Sequence, residues 1–289
     1  MTTLITGGTG KTGSRLAKLL HAAGHPFILA SRSGTAPAPL SSNLGVKFDW
    51  ADPSTFQNPF SFVSGGETKI DRVYLIAPTA VLDSLPLVQP FVDLAVAKGV
   101  KRFVLLTATL SESGGPGLGK LHEYVAGLRG GVEYTVLRPT WFIENFGTLY
   151  AHSIREKDEI FSVMKSGKLP LVSADDIAKA AFDALFAEQS PNTDYYLVGP
   201  ELFSYDEVAA LFTEVLGRKI THKHLTDEEE QALYQSFGLP KEYAAMLTAG
   251  EALVASGSEE RCVGTSKTIT GTHTLRQFVE ANKQIWTKS

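Results

Sequence analysis

A glycine-rich turn directly follows the first strand-like segment of this chain and constrains the fold more than any other feature. The apolar run Thr2–Thr6 leads into Gly7-Gly8-Thr9-Gly10-Lys11-Thr12-Gly13, which satisfies G-x-x-G-x-x-G from Gly7 and G-x-G-x-x-G from Gly8. Leu16, Leu19, Leu20 and Ala23 then follow the i, i+3, i+4, i+7 spacing of a helix with one buried face, closed by Gly24. Strand, turn and helix together predict a βαβ unit.

Short apolar runs and helical patterns alternate through the N-terminal half of the chain. Such alternation is typical of a parallel sheet covered by helices. The predicted strands are residues 2–6, 27–30, 46–48, 73–76, 103–107, 134–137 and 195–198. The predicted helices are residues 16–23, 86–97, 176–187 and 205–216, with further helix-forming sequence at 227–253 and 275–286. We therefore predict an α/β protein with a Rossmann-type, doubly wound parallel sheet.

Glycine suits the turn after the first strand for physical reasons. The turn is tight, its backbone must approach a pyrophosphate closely, and the helix must pack against the strand. Backbone N–H groups at the start of the helix then face the anion. A P-loop is excluded because that motif needs a glycine where Ile5 stands. The turn predicts a dinucleotide site with contacts from Gly7, Thr9, Gly10, Lys11, Thr12 and Gly13.

The end of the second predicted strand indicates NADP(H) rather than NAD(H). NAD sites usually place Asp or Glu there to accept from the ribose 2′-hydroxyl, whereas this chain has Ser31, Arg32 and Ser33. Arg32 can pair with a 2′-phosphate, and the serines can donate hydrogen bonds to it. Residues 1–48 hold five basic residues and no acidic one, although the whole chain has a net charge of -4. The segment expected to meet the phosphates is thus positive.

Further cofactor contacts are expected where later strands end. Asp49 and Trp50 follow the third predicted strand, where adenine is usually flanked, although ordinary packing explains Trp50 equally well. The other predicted contacts are Ala77, Pro78, Thr107, Lys120 and Pro139.

The expected domain organisation follows from the same pattern. Residues 1–149 are the predicted NADP(H)-binding domain, to which residues 172–200 return. Residues 201–289, with a contribution from 150–171, are expected to form a small, mostly helical lobe that covers the substrate. Open α/β sheets bind their ligands at the carboxyl edge, so we expect the lobe to lie there.

The Tyr-x-x-x-Lys pair with which short-chain dehydrogenases protonate a substrate oxygen is missing. Pro116 stands four residues before Lys120, and Leu128 stands four residues after Tyr124. The usual acid is therefore absent. His122 is a candidate proton donor for a carbonyl substrate, although a structural histidine explains it as well.

Several strings resemble one known family. They are Phe48-Asp49-Trp50, Gly119-Lys120-Leu121-His122, Ala174-Asp175-Asp176-Ile177-Ala178 and residues 137–146, 216–222 and 256–261. With the glycine turn, they resemble the NmrA-like branch of atypical short-chain dehydrogenases and, within it, the fungal festuclavine and agroclavine dehydrogenases of ergot alkaloid biosynthesis. The resemblance covers nearly the whole chain. It implies an NADPH-dependent reductase of secondary metabolism that reduces a cyclic iminium ion, which forms when an amino aldehyde closes on itself.

An iminium substrate would explain the missing tyrosine. A carbonyl gains negative charge on oxygen as hydride arrives and needs a proton donor. An iminium carbon is already cationic, so its reduction to a neutral amine rests on positioning alone. The resemblance places Lys120 near the nicotinamide ribose, although a solvated lysine explains it equally well. Trp141, Phe142 and Phe146 are candidates to hold a flat or cationic substrate by stacking or cation–π contact, with core packing as the alternative.

Two other functions stay open at this point. The chain could be an NADPH-dependent carbonyl or quinone reductase with Lys120, His122 or Tyr124 as its acid. It could also be a non-catalytic, NADP(H)-sensing regulator, because some NmrA-like proteins bind a dinucleotide without turning it over. The expected partners are a small-molecule substrate, an alkaloid or cyclic imine, and an upstream pathway enzyme.

Composition and charge exclude several classes of protein. Hydrophobic residues make up 43% and charged residues 20%, the balance of an ordinary globular protein, so we expect no nucleic-acid partner. The lack of a signal-like segment and of an apolar run near ~20 residues predicts a cytoplasmic protein without membrane contact. Cys262, the single cysteine, is expected to be a bystander. His222 and His224 lack a third ligand at metal spacing, so no metal is expected.

Overall fold

The structure is a computed structural model that describes residues 1–38, 40, 44–62 and 69–288. Its strands are β1 (Thr2–Thr6), β2 (Phe27–Ser31), β3 (Gly45–Lys47), β4 (Ile70–Ile76), β5 (Arg102–Leu106), β6 (Glu133–Pro139), β7 (Glu159–Ser162), β8 (Thr193–Val198), β9 (Thr221–His224) and β10 (Thr268–Thr270). Its α-helices are α1 (Lys11–Ala22), α2 (Asn58–Ser61), α3 (Leu85–Ala97), α4 (Leu118–Ala126), α5 (Ala174–Phe186), α6 (Tyr205–Leu216), α7 (Asp227–Ser236), α8 (Lys241–Val254) and α9 (Leu275–Ala281). None of these helices is long and apolar enough to cross a bilayer.

Eight strands form one sheet in the order β10-β8-β6-β5-β4-β1-β2-β3. The pairings from β6 through β5, β4, β1 and β2 to β3 are parallel, as is the pairing of β10 with β8. The strand order reverses between β1 and β4, and open α/β sheets bind ligands beside such a reversal. The predicted Rossmann-type fold is confirmed.

Burial explains why these strands were readable from the sequence. Every residue of β1 and β2 is buried, so neither strand contains a charged residue or alternates polar with apolar residues, as expected of strands that are covered on both faces. Helix α1 buries one stripe that includes Leu16, Ala17 and Leu20 and leaves its other face polar.

The chain divides into two compact units. Unit 1 comprises Met1–Arg138 and Ile177–Tyr195, and unit 2 comprises Pro139–Asp176 and Tyr196–Ser289. The core of unit 1 consists mainly of aliphatic residues from the sheet and its helices. The core of unit 2 is richer in large rings, among them Phe146, Tyr150, Tyr205, Phe212 and Trp286. The functional domain boundaries at 149 and 201 stay predictions.

The C-terminal region contains more strand than its sequence indicated. Strand β10 pairs with β8 at the edge of the large sheet, and β7 and β9 pair as a separate two-stranded sheet. β10 and β9 are mostly exposed, so neither shows an apolar run. The helix-forming stretch 227–253 is two helices, because the chain takes a positive φ at Gly238 and Pro240 stands just before α8.

Candidate functional site

The end of β1 is tied to β4 and β2, and this fixes where the glycine turn begins. The Thr6 hydroxyl accepts a hydrogen bond from the backbone N–H of Ile76 at 2.7 Å. Gly7 has φ +64, and the N–H of Gly8 donates to the carbonyl of Ala30 at 3.2 Å. A Cβ at Gly8 would lie 2.8 Å from the Leu29 side chain. The turn is therefore pressed against the end of β2.

The same turn packs closely against the start of α1. A Cβ at Gly13 would lie 2.5 Å from the Gly7 carbonyl oxygen, and one at Gly10 would lie 3.1 Å from it. Gly10 is the N-cap of α1 without a side-chain capping bond, and the first turn of α1 contains no acidic residue. Its backbone N–H groups and positive dipole end suit an anion. The residues present thus fit the pyrophosphate that the sequence predicts.

Arg32 follows β2 directly and is exposed. The hydroxyls of Ser31 and Ser33 lie 3.2 Å apart, and Ser31 Oγ also accepts from the N–H of Gly34 at 3.2 Å. These contacts form a tight turn that holds Arg32 at the carboxyl end of β2, which is also the strand that Gly8 packs against. No carboxylate stands at this strand end, so nothing there would repel the 2′-phosphate that distinguishes NADP(H) from NAD(H).

Asp49 and Trp50 have structural partners beyond β3. Asp49 Oδ1 accepts a hydrogen bond from the N–H of Ala51 at 3.0 Å. The Trp50 ring packs edge-on against Phe48 at 4.7 Å and Phe91 at 5.5 Å between ring centroids. Packing explains the position of Trp50, and its contact with adenine stays a prediction.

The remaining predicted cofactor residues lie at strand ends. Ala77 and Pro78 follow β4, and Pro139 is the last residue of β6. Thr107 follows β5, is buried, and donates from its backbone N–H to the carbonyl of Leu137 at 2.8 Å. The carboxyl ends of neighbouring parallel strands meet at one edge of a sheet, so the sheet order supports this grouping.

Two of the three candidate catalytic side chains on α4 are bound to carboxylates. The Lys120 ammonium pairs with Asp83 at 2.6 Å, and this hydrogen bond lowers the pKa of Asp83. The Tyr124 hydroxyl donates to Asp93. Burial, and then the Asp93 carboxylate, raise the pKa of Tyr124 far above its usual value. A tyrosine in this state is a poor proton donor near neutral pH.

His122, the third candidate on α4, is buried. Its Nδ1 lies 3.3 Å from the carbonyl oxygen of Ser111. A buried histidine with a backbone partner fits the structural interpretation better than the catalytic one. Its role as an acid remains a prediction without support from its contacts.

Arg138 is a buried charged residue whose role sequence reasoning missed. It lies near the end of β6, is 1% exposed, and pairs with Asp194 at 2.7 Å and with Glu112. It also donates to the carbonyl of Thr109. Arg138 thus ties the segment after β5 to β8. The available signal was a single charge inside the apolar run 136–140.

A pocket lies within unit 2, with a cavity volume of about 340 Å³. Its lining is aromatic and aliphatic apart from one amide and one carboxyl group: Trp141, Asn145, Leu149, Tyr150, Tyr234, Phe237, Leu239, Leu247 and Glu251. Of the three predicted substrate residues, only Trp141 lines it. Phe146 is fully buried in the unit 2 core, and Phe142 is half-buried, with a backbone bridge to Val172. Substrate contact by these two residues stays a prediction.

Asp206, His222 and His224 come together beside β9. His222 Nδ1 lies 3.0 Å and His224 Nε2 lies 3.6 Å from Asp206 Oδ1, and ligand atoms of all three lie within 4.8 Å of one another. The search for a third ligand along the chain missed Asp206, because folding brings α6 beside β9. The expected absence of a metal therefore remains a prediction, but its sequence argument was incomplete.

Comparison with known proteins finds relatives that match nearly the whole chain. No protein-family model matches it. It is 43% identical to the agroclavine dehydrogenase of Claviceps fusiformis over 99% of both chains. It is 41% identical to festuclavine synthase I of Penicillium roqueforti over 99% of this chain and 100% of that one. The NADPH-dependent quinone oxidoreductase of Escherichia coli, solved with NADPH, has the same fold with a TM-score of 0.74, 22% identity and coverage of 96% and 99%.

The predicted resemblance is confirmed, because both relatives are more than 40% identical to this chain over 99% of its length. The order of strand, glycine turn and helix at the start of the chain agrees with this family assignment. The chain belongs to the family of the fungal agroclavine and festuclavine dehydrogenases.

Proposed function

We propose that this protein is an NADP(H)-dependent oxidoreductase that reduces a cyclic iminium ion, an intermediate of ergot-type or related indole alkaloids. The proposal rests on two features taken together: a glycine turn whose shape fits a pyrophosphate, and three α4 side chains of which none is free to act as a proton donor. Lys120 and Tyr124 are held by carboxylates, and His122 is buried against a carbonyl. An iminium carbon needs no proton when it accepts hydride, so this arrangement suits it. The names of the relatives, agroclavine dehydrogenase and festuclavine synthase, support an alkaloid as the substrate.

The chain's own residues bind and orient the cofactor in this proposal. Backbone N–H groups of the turn and of the start of α1 hold the pyrophosphate, and Arg32 pairs with the 2′-phosphate. When bound, NADPH supplies a hydride from C4 of its nicotinamide. The C=N π electrons move to nitrogen as the new C–H bond forms, which leaves a neutral amine. The protein's contribution is then alignment and exclusion of water.

NADPH oxidation with a matched substrate panel tests the proposal. The panel holds one cyclic iminium, such as the cyclised form of chanoclavine-I aldehyde, beside ketones, aldehydes and a quinone. We expect rapid oxidation with the iminium alone. At saturating NADPH, which removes any effect of Lys120 on cofactor affinity, we also expect turnover to survive in the variants Lys120→Ala, His122→Ala and Tyr124→Phe within about fivefold, because removing a true general acid typically costs about a hundredfold or more.

Other outcomes point to the alternatives. Turnover with carbonyls or quinones only, lost in one of the three α4 variants, would contradict the proposal and support a carbonyl or quinone reductase. Tight NADPH binding without turnover of any substrate would support a non-catalytic sensor. Binding of an upstream pathway enzyme and a cytoplasmic location stay predictions.

A further inference from the structure

Two buried glutamates lie together at the unit 2 pocket. Glu251 on α8 lines the pocket and is 4% exposed, and Glu230 on α7 is 0% exposed. Their carboxyl groups lie close enough for each to shift the pKa of the other. The Tyr234 hydroxyl donates to Glu251 Oε1, and the N–H of Val163 donates to Glu230 Oε1 at 3.2 Å. In the part of the chain that the structure describes, no N–H or O–H group donates to Oε2 of either carboxyl.

Among the residues that the structure describes, no positively charged side chain is found to act on these two acids. Burial raises the pKa of both carboxyl groups, and the proximity of Glu230 raises that of Glu251 further. The other ionisable groups that face the pair are the hydroxyls of Tyr150, Tyr205 and Tyr234 and the carboxylate of Asp227. None of them brings a positive charge. Two buried carboxyl groups in contact cannot both ionise at ordinary cost, so they retain a shared proton.

The walls of the pocket suit a flat cation. Trp141, Tyr150, Tyr234 and Phe237 supply aromatic rings, whose faces attract positive charge. The indole of Trp141 lines the same pocket as Glu251, and its N–H favours the charged form of that carboxyl group and so lowers its pKa slightly. The cavity of about 340 Å³ is large enough for a small ring system. The shape of this cavity therefore suits a flat ring, and its single acidic group suits a positive charge.

We propose that the unit 2 pocket binds a flat organic cation, a protonated amine or a cyclic iminium ion on an aromatic skeleton, with the paired carboxyl groups of Glu251 and Glu230 as its counter-charge. The inference deepens the proposed function and rests on it for the statement that this cation is the substrate. The bound cation takes the place of the shared proton, which leaves to solvent. A neutral molecule of the same shape gains apolar burial only. The pocket therefore selects by charge.

Calorimetric titration of the full-length protein with two matched probes tests this proposal. Tryptamine carries an ammonium group, and 3-propylindole replaces that group with a methyl group. We expect tryptamine to bind wild-type protein at least about tenfold more tightly, which is the effect of one charge-assisted pair. Glu251→Gln keeps the size of the side chain but loses the charge, and the preference should fall below about twofold. Glu242→Gln is the matched control: it removes an exposed carboxyl group from the same helix, outside the pocket lining, and should keep the preference.

The dependence on pH separates a counter-charge from a packing role. Tryptamine stays protonated below about pH 9, as primary amines do, so only the carboxyl pair titrates. Affinity for tryptamine should rise with pH while the amine stays protonated, because fewer protons compete with the cation, and affinity for 3-propylindole should stay constant. Equal binding of both probes, or a preference that survives in Glu251→Gln and in Glu230→Gln, would overturn the inference.

The proposed function can fail separately. Reduction of an iminium without any preference for tryptamine would leave the proposed function standing and refute the cation site. A clear preference for tryptamine without turnover of any iminium would support the cation site and refute the proposed substrate. If Glu251→Gln does not fold, Glu230→Gln tests the same pair from the other helix.

Discussion

Replacing Gly13 with alanine would place a Cβ atom inside the glycine turn. The new carbon would lie 2.5 Å from the Gly7 carbonyl oxygen and 3.1 Å from Cα of Gly8. Both atoms are backbone, so no side-chain rotation can relieve the contact. Real Cβ atoms essentially never come within 3.0 Å of a heavy atom that lies outside their own residue and its two neighbours in the chain. The turn and α1 must therefore separate by about half an ångström or more.

The cost of this separation should appear in both stability and cofactor binding. Overpacking of this kind typically costs about 1–3 kcal/mol, and in a protein of this size each kcal/mol lowers Tm by roughly 2–4 °C. The same displacement moves the N–H groups of α1 away from the pyrophosphate. Loss of one hydrogen bond to a charged group is worth about 1.5–3 kcal/mol, so the Kd for NADPH should rise about tenfold to a hundredfold.

Thermal unfolding and a fluorescence titration with NADPH measure the two effects. Ser14→Ala is the matched control: it changes the next residue of α1 and adds no atom to the turn. We expect the control to keep wild-type affinity for NADPH. A Gly13→Ala protein with lowered Tm but wild-type affinity would refute the argument that this turn holds the pyrophosphate.

Three further predictions follow from single contacts. Arg32→Ala should weaken NADPH binding about tenfold or more, the value of one charge-assisted pair, and leave NADH binding nearly unchanged. Arg129→Ala, another exposed arginine of unit 1, should change neither, and equal losses for both cofactors would contradict the assignment of Arg32 to the 2′-phosphate. Arg138→Met should lower the free energy of unfolding by about 3–5 kcal/mol in urea titrations, because it removes the guanidinium that pairs with the buried Asp194 carboxylate; wild-type stability would show that the pair contributes little. Gly199→Ala should destabilise similarly in the same assay, since its Cβ would lie 1.8 Å from the Leu171 carbonyl oxygen, and an unchanged midpoint would show that the backbone there yields freely.

The sheet and its glycine turn were predictable because their signals are local. β1 was predicted with the bounds that the structure gives, and most other strands of the large sheet differ by one to three residues at an end. A strand buried on both faces excludes charged residues, and a turn pressed against two backbone segments requires glycine. Each requirement is written in a few adjacent residues. The exposed edge strand β10 has no such requirement, and its sequence therefore did not show it.

The sequence by itself determined the class of fold, the position of the glycine turn, the basic residue at the end of β2 and the family. Only the tertiary structure decided which polar side chains meet. It brings Arg138 to Asp194, Asp206 to His222 and His224, and Glu230 to Glu251. It also leaves Trp141 at a pocket and buries Phe146 in a core. The physical reason is that burial and pairing depend on neighbours from distant segments, which packing selects, whereas turn geometry and strand burial act on consecutive residues.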